Sequence, residues 1–86
     1  MRVRIPTPLR SYTGQRSVVD AEGSTVAEVL ADLDRRFPGL RFRVVDEQAR
    51  LRQHVNVFVN QERTRDLTTR LGPDDELTIM QALSGG

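Results

Sequence analysis

The stretch Thr25-Val26-Ala27-Glu28-Val29-Leu30-Ala31-Asp32-Leu33-Asp34-Arg35-Arg36-Phe37-Pro38-Gly39 carries a start, a face and a stop for one helix. Thr25 and Glu28 have capping-box spacing: the threonine hydroxyl accepts from the Glu28 amide, and the Glu28 carboxylate reaches back to the Thr25 amide. Val26, Val29, Leu30, Leu33 and Phe37 then recur at the spacing of a single buried face. Asp32 and Arg36, four apart, read as a solvated pair on the opposite side. Pro38-Gly39 ends the helix. A helix with one apolar stripe has to bury it against another layer, and the flanking sequence supplies strands.

Upstream, Arg2-Val3-Arg4-Ile5 alternates with period two, as a strand with one buried face does. Pro6 and Pro8 remove two backbone donors, so regular pairing ends there. The stretch Arg10-Ser11-Tyr12-Thr13-Gly14 turns the chain into a second strand over residues 15–21, with Val18 and Val19 as its apolar content. Together these predict a β-hairpin. Downstream of the helix the pattern weakens. Leu40, Val44 and Val45 fit one short helical turn, and Arg50 to Arg52 a short strand. In this region Arg41, Arg43, Arg50 and Arg52 face only Asp46 and Glu47, which reads either as a solvated surface or as a basic contact patch for an acidic partner.

Val55, Val57 and Val59 then alternate with Asn56, Phe58 and Asn60, a clear strand. Asn60-Gln61-Glu62-Arg63 is a turn, Leu67 and Leu71 anchor a turn-rich connection, and Gly72-Pro73-Asp74-Asp75 is a second turn cluster. Residues 76–83 alternate as a last strand, leaving Ser84-Gly85-Gly86 as an unpaired tail. The expected architecture is α+β: a mixed sheet of four to five strands with one main helix on one face. It comprises a domain over residues 1–83 and a flexible tail over 84–86. One helix covers one side of such a sheet, so the other side meets water or a partner.

Composition narrows the function. Eighty-six residues make one domain, with little room for an enclosed active site. There is no cysteine and only one histidine, His54, which excludes disulfides and leaves no zinc-like ligand cluster. The bland reading is a reducing cytoplasm. No apolar run approaches the ~20 residues of a membrane span, and the N-terminus carries no signal-peptide pattern. A net charge of +1 argues against a dedicated nucleic-acid binder, so neither nucleic acid nor membrane is an expected partner. All thirteen basic residues are arginine, so no ε-amine is available for an isopeptide bond to this chain. His54 reads as a surface or hydrogen-bonding residue rather than a general base. No Ser-His-Asp set, paired carboxylates or glycine-rich phosphate loop is present, so the chain itself is not expected to be an enzyme.

A terminal Gly-Gly is a weak signal alone, since glycine at roughly 7% of residues gives it by chance about once in 200 chains. Its position lifts it. A tail that leaves directly from a strand inside the sheet projects a carboxylate from a rigid body, and glycines thread channels too narrow for side chains. The ending Glu76-Leu77-Thr78-Ile79-Met80-Gln81-Ala82-Leu83-Ser84-Gly85-Gly86, after the Pro73-Asp74-Asp75 turn, resembles that of ubiquitin-like bacterial sulfur carriers. These include the molybdopterin synthase small subunit and the thiamine-biosynthesis carrier. Ile5-Pro6-Thr7-Pro8-Leu9-Arg10 with Thr13-Gly14, His54-Val55-Asn56-Val57-Phe58-Val59-Asn60, and Glu62 with Arg65 resemble the carrier of thiocarboxylate-dependent cysteine biosynthesis. Gln61 and Arg63 in the hairpin, and Gln81 where proline is expected, depart from that pattern.

The resemblance implies a β-grasp fold and a carrier that binds no cofactor of its own. A partner activating enzyme would adenylate the Gly86 carboxylate with ATP, and a sulfide or persulfide would displace AMP to leave a thiocarboxylate. Gly85 and Ser84 would thread the enzyme's channel. A PLP-dependent cysteine synthase, or another sulfur-accepting synthase, would take the sulfur. The alternatives are molybdopterin synthase, a carrier for a sulfur-containing natural product, a ubiquitin-like covalent protein modifier, and a non-covalent adaptor with an incidental Gly-Gly. Alternation places Phe58 and Met80 opposite in phase to Val57 and Ile79, on the uncovered sheet face. Phe58, Met80 and Ala82 are therefore the candidate partner-docking residues.

Overall fold

A computed structural model of the chain describes residues 1–82. The predicted first hairpin is formed by β1 (Arg2–Arg4) and β2 (Val18–Asp20), which pair antiparallel with Val3 opposite Val19. Between them the segment Thr7–Thr13 winds into a 3-10 helix rather than a plain turn. Pro8 is tolerated in its first turn, where an amide has no helical partner anyway, and Leu9 and Thr13 are buried.

Helix α1 spans Val26–Arg36, and Val26, Val29, Leu30 and Leu33 are all buried. Thr25 Oγ1 accepts from the Glu28 amide at 3.2 Å. The return bond differs from the capping-box expectation. Glu28 Oε1 accepts from the Ser24 amide at 2.8 Å, one residue earlier than Thr25. The remaining amides of the first turn are met by the connection that Leu67 and Leu71 anchor: Val26 donates to the Thr69 carbonyl and Ala27 to that of Leu67. Gly23 lets the chain pass close against the first turn of α1, because a Cβ there would stand 2.7 Å from the Val29 amide nitrogen.

Asp32 corrects the helical-wheel reading. It is 4% exposed, not solvated, and it accepts from the Glu22 amide as well as from Arg35 and Arg36. Those three donors hold its carboxyl well below the ordinary carboxylate range, the Glu22 amide most strongly.

Helix α2 (Leu40–Val44) is the predicted short turn, with Leu40 and Val44 in the core. No strand forms at Arg50–Arg52; only an isolated bridge joins Val45 and Leu51. Strands β3 (Val55–Val59) and β4 (Glu62–Thr64) make a second hairpin around Asn60-Gln61, with Asn60 in the left-handed region at φ 56°. Asn60 also donates from its amide to the Glu76 carbonyl and accepts from the Glu76 amide, fixing the start of β5 (Glu76–Gln81).

The sheet has five strands in the order β2-β1-β5-β3-β4, with β1 and β5 parallel and the other pairs antiparallel. This is the β-grasp arrangement. Val3, Val19, Val55, Val57, Leu77 and Ile79 point inward and join Leu9, Val29, Leu30, Leu33, Leu40 and Val44 in one core. The last domain residue, Leu83, and the tail residues Ser84, Gly85 and Gly86 lie outside the described residues.

Candidate functional site: the root of the tail and the open sheet face

Strand β5 is central, held by β1 on one side and β3 on the other. Pairing with β1 reaches Thr78, opposite Arg4, and stops there because Pro6 and Pro8 follow. Pairing with β3 continues to Gln81, opposite Val55. A final bond from the Ala82 amide to the His54 carbonyl, 2.8 Å, carries the order to the last described residue. Residues 83–86 therefore start from the end of a strand anchored in mid-sheet. The carboxylate of Gly86, the expected reactive group, lies beyond the described residues with Gly85 and Ser84.

The sheet face turned away from α1 follows from the register. One row crosses all five strands: Val18, Arg4, Thr78, Phe58 and Arg63. The next row toward the end of β5 contains Met80 opposite Asn56. Phe58 and Met80 thus share this face as diagonal neighbours; each stands directly opposite another residue, Thr78 and Asn56 respectively. Diagonal positions remain within reach of long side chains. Phe58 is half-buried and Met80 is 51% exposed. Ala82, two residues beyond Met80, is exposed. Around them stand Arg2, Arg4, Arg63 and Glu76. Arg4 Nε donates to Glu76 Oε1 at 2.6 Å and keeps that carboxyl below its ordinary value.

The opposite flank of the tail root holds a feature that alternation does not reveal. Phe42 in α2 is 52% exposed. The Arg52 guanidinium lies 4.6 Å from its ring centroid, and Arg52 Nε donates to the Phe42 carbonyl at 2.8 Å. Phe42, Arg43, Arg52, His54 and Gln81 line a shallow depression. His54 is exposed there, and its carbonyl receives the Ala82 amide.

Arg65, noted in the sequence only for its resemblance, is a fastener. Its guanidinium donates to the carbonyls of Leu51, Arg52 and Val55 and to Asn56 Oδ1, tying the irregular segment to the start of β3. Main-chain carbonyls carry no side-chain signature, so no sequence pattern marks this role. Among the described residues no group of three or more His, Asp or Glu side chains is placed to hold a metal ion. No helix of the described residues is long and apolar enough to cross a membrane.

Comparison with known proteins covers the same ground end to end. The sulfur carrier protein CysO of Mycobacterium tuberculosis is 37% identical over 89 residues, spanning 98% of this chain and 96% of that one. Its crystal structure superimposes with a TM-score of 0.90 at 36% identity, covering 95% and 98% of the two chains. A chain in the crystal structure of the Amycolatopsis orientalis BexX/CysO complex gives a TM-score of 0.92 at 40% identity, covering 99% and 98%. The small archaeal modifier protein 1 (SAMP1) of Haloferax volcanii gives 0.80 at 32% identity, covering 100% and 98%. The family model for ThiS matches residues 3–86, so the alternating strands, the capped helix and the Gly-Gly ending all fall inside one match, and the chain belongs to the ThiS family.

Proposed function

We propose that this chain is a sulfur carrier protein whose Gly86 carboxylate is adenylated, converted to a thiocarboxylate and used to donate sulfur in biosynthesis, with cysteine as the favoured product. The observation that carries this reading is the full-length similarity to proteins named as sulfur carriers, joined to a Gly-Gly ending that follows the central strand. A carboxylate is a poor electrophile because its leaving group would be oxide. Attack on the α-phosphorus of ATP releases pyrophosphate and makes AMP the leaving group. Sulfide then adds at the carbonyl carbon, AMP departs, and the sulfur stays on Gly86; a persulfide donor instead gives an acyl disulfide, which a second thiol of the partner cleaves to free the thiocarboxylate. A thiocarboxylate is ionised at neutral pH and attacks carbon electrophiles much as a thiolate does. In a chain without cysteine the terminus is the place for that sulfur.

The chain acts as a co-substrate rather than an enzyme. Its partners are an adenylating and sulfurylating enzyme, which supplies the ATP chemistry, and a PLP-dependent cysteine synthase as acceptor. The cytoplasm is the compartment that fits this chemistry. That a relative occurs in a BexX/CysO complex supports docking on a second protein as the working mode. Phe58, Met80 and Ala82 form the docking face, and Ser84 and Gly85 thread the enzyme's channel. Ordering three tail residues costs on the order of 3–6 kcal/mol of backbone entropy. Covering the remaining exposed surface of Phe58 and Met80 returns about 1–2.5 kcal/mol for the pair, because both are already partly buried. The open face alone therefore does not offset the tail, and further contact at its root is required.

A second reading, a covalent protein modifier, is favoured by the similarity to SAMP1. The two readings share the acyl-adenylate and differ in the nucleophile. Charging of chain-end variants tests the first. Deleting Gly86, or adding one residue after it, abolishes thiocarboxylate formation and leaves the fold unchanged. An extended variant that is charged with sulfur without prior trimming overturns the mechanism.

A further inference from the structure

Among the described residues, the two large apolar side chains that stand half in water are Met80 and Phe42, and both adjoin the end of β5. Met80 lies on the open face. Gln81, the next residue, is opposite Val55 and so takes the inward phase, and it lines the depression that contains Phe42. The two exposed groups thus flank the tail root from opposite sides of the sheet. An enzyme that encloses the tail meets both flanks.

We propose that the depression formed by Phe42, Arg43, Arg52, His54 and Gln81 is a second contact for the adenylating enzyme, which presents acidic side chains and an apolar contact there beside its tail channel. This inference rests on the sulfur-carrier reading and extends it. Charge selects the occupant. Among the described residues, two arginines line the depression and no carboxylate does. Of the nearby acids, Asp46 is folded into its own turn, accepting from the Gln48 and Arg50 amides. Arg43 makes no ion pair among the described residues. Arg52 is positioned before any partner arrives, stacked on the Phe42 ring and hydrogen-bonded to its carbonyl. A carboxylate therefore meets a pre-ordered guanidinium at the rim of an apolar ring, which lowers the ordering cost of the contact. The adenylating enzyme is the partner chosen because activation of the carboxylate precedes every later fate of the tail.

Steady-state charging by the adenylating enzyme that converts the wild-type chain to its thiocarboxylate tests this. Arg43→Glu and Phe42→Ala each raise the KM for the carrier by roughly tenfold, with kcat little changed, as lost docking contacts do. Arg43→Lys keeps most of the wild-type KM. The wild-type KM rises with salt, and that of Arg43→Glu rises less steeply. Urea midpoints equal to wild type separate docking from folding, and Arg43→Gln replaces the reversal if the fold is disturbed. Wild-type KM in both Phe42→Ala and the Arg43 variant overturns the proposal, as does a loss confined to kcat. Failure of the wild-type chain to be charged at all overturns the sulfur-carrier reading and this inference with it.

Discussion

Replacing Val57 by alanine measures which face of β3 carries the core. Val57 is fully buried and stands opposite Ile79 on β5 and Thr64 on β4. Truncation removes apolar volume equivalent to two methylenes, about 1.6 kcal/mol of transfer free energy. The sheet behind it is paired on both sides and collapses only partly into the space, so a cavity contribution raises the loss to about 2–3 kcal/mol. In a domain of this size each kcal/mol is worth about 4–8 °C, giving a fall in Tm of roughly 10–20 °C. Urea titration followed by far-ultraviolet circular dichroism reads the same loss as a lower midpoint at constant slope. Phe58→Ala is the matched comparison, one residue along and on the open face. Its midpoint moves less, and its effect appears also as about 0.5–1.5 kcal/mol of weaker binding to the activating enzyme, in line with the little surface it has left to cover. A silent Val57→Ala beside an unfolded Phe58→Ala would refute the assignment of faces, and with it the docking surface.

Three further outcomes follow from the same structure. Met80→Arg weakens binding to the activating enzyme by about 1–3 kcal/mol while leaving the urea midpoint unchanged, because half of its surface is already in water. Asp32 has a folded-state pKa below its ordinary 3.8, so its contribution to stability is complete at neutral pH and is lost as pH falls from about that value toward the lower folded one. Stability of Asp32→Asn, measured by urea titration from pH 7 to pH 2, is lower at neutral pH and falls less on acidification; an unchanged acid limb would contradict the assignment. Finally, incubation with ATP and activating enzyme gives no ladder of lysine-linked oligomers, since no lysine exists and the one α-amine, on Met1, donates to the Ala21 carbonyl at 2.7 Å. Peptide mapping of any ladder that formed through another residue would disprove this.

What could be read in the residue order was whatever repeats with a period. The valines at 55, 57 and 59 and the leucine and isoleucine at 77 and 79 marked inward faces, and the helix from Val26 carried its own cap and stop. Features that depend on distant main-chain groups were not legible. A helical wheel places Asp32 on the solvated side because it knows nothing of the Glu22 amide ten residues upstream. The 3-10 segment from Thr7 hid behind two prolines that signal only where pairing stops. Phe42 lies among arginines outside any alternating run, and its exposure and its stacking with Arg52 are tertiary facts that no period marks. For the site, alternation anticipated that Phe58 and Met80 share the open face, and the tail lies outside the described residues, whereas the depression that α2 shares with His54 and Gln81 depends on tertiary placement.

The most direct test of the central claim is the intact mass of the purified chain after incubation with ATP, a sulfide source and the adenylating enzyme of its own source. The account predicts replacement of one oxygen by sulfur, dependent on ATP and localised by fragmentation to Gly86. An adenylated terminus that resists sulfide and passes instead to amines of other proteins would contradict it.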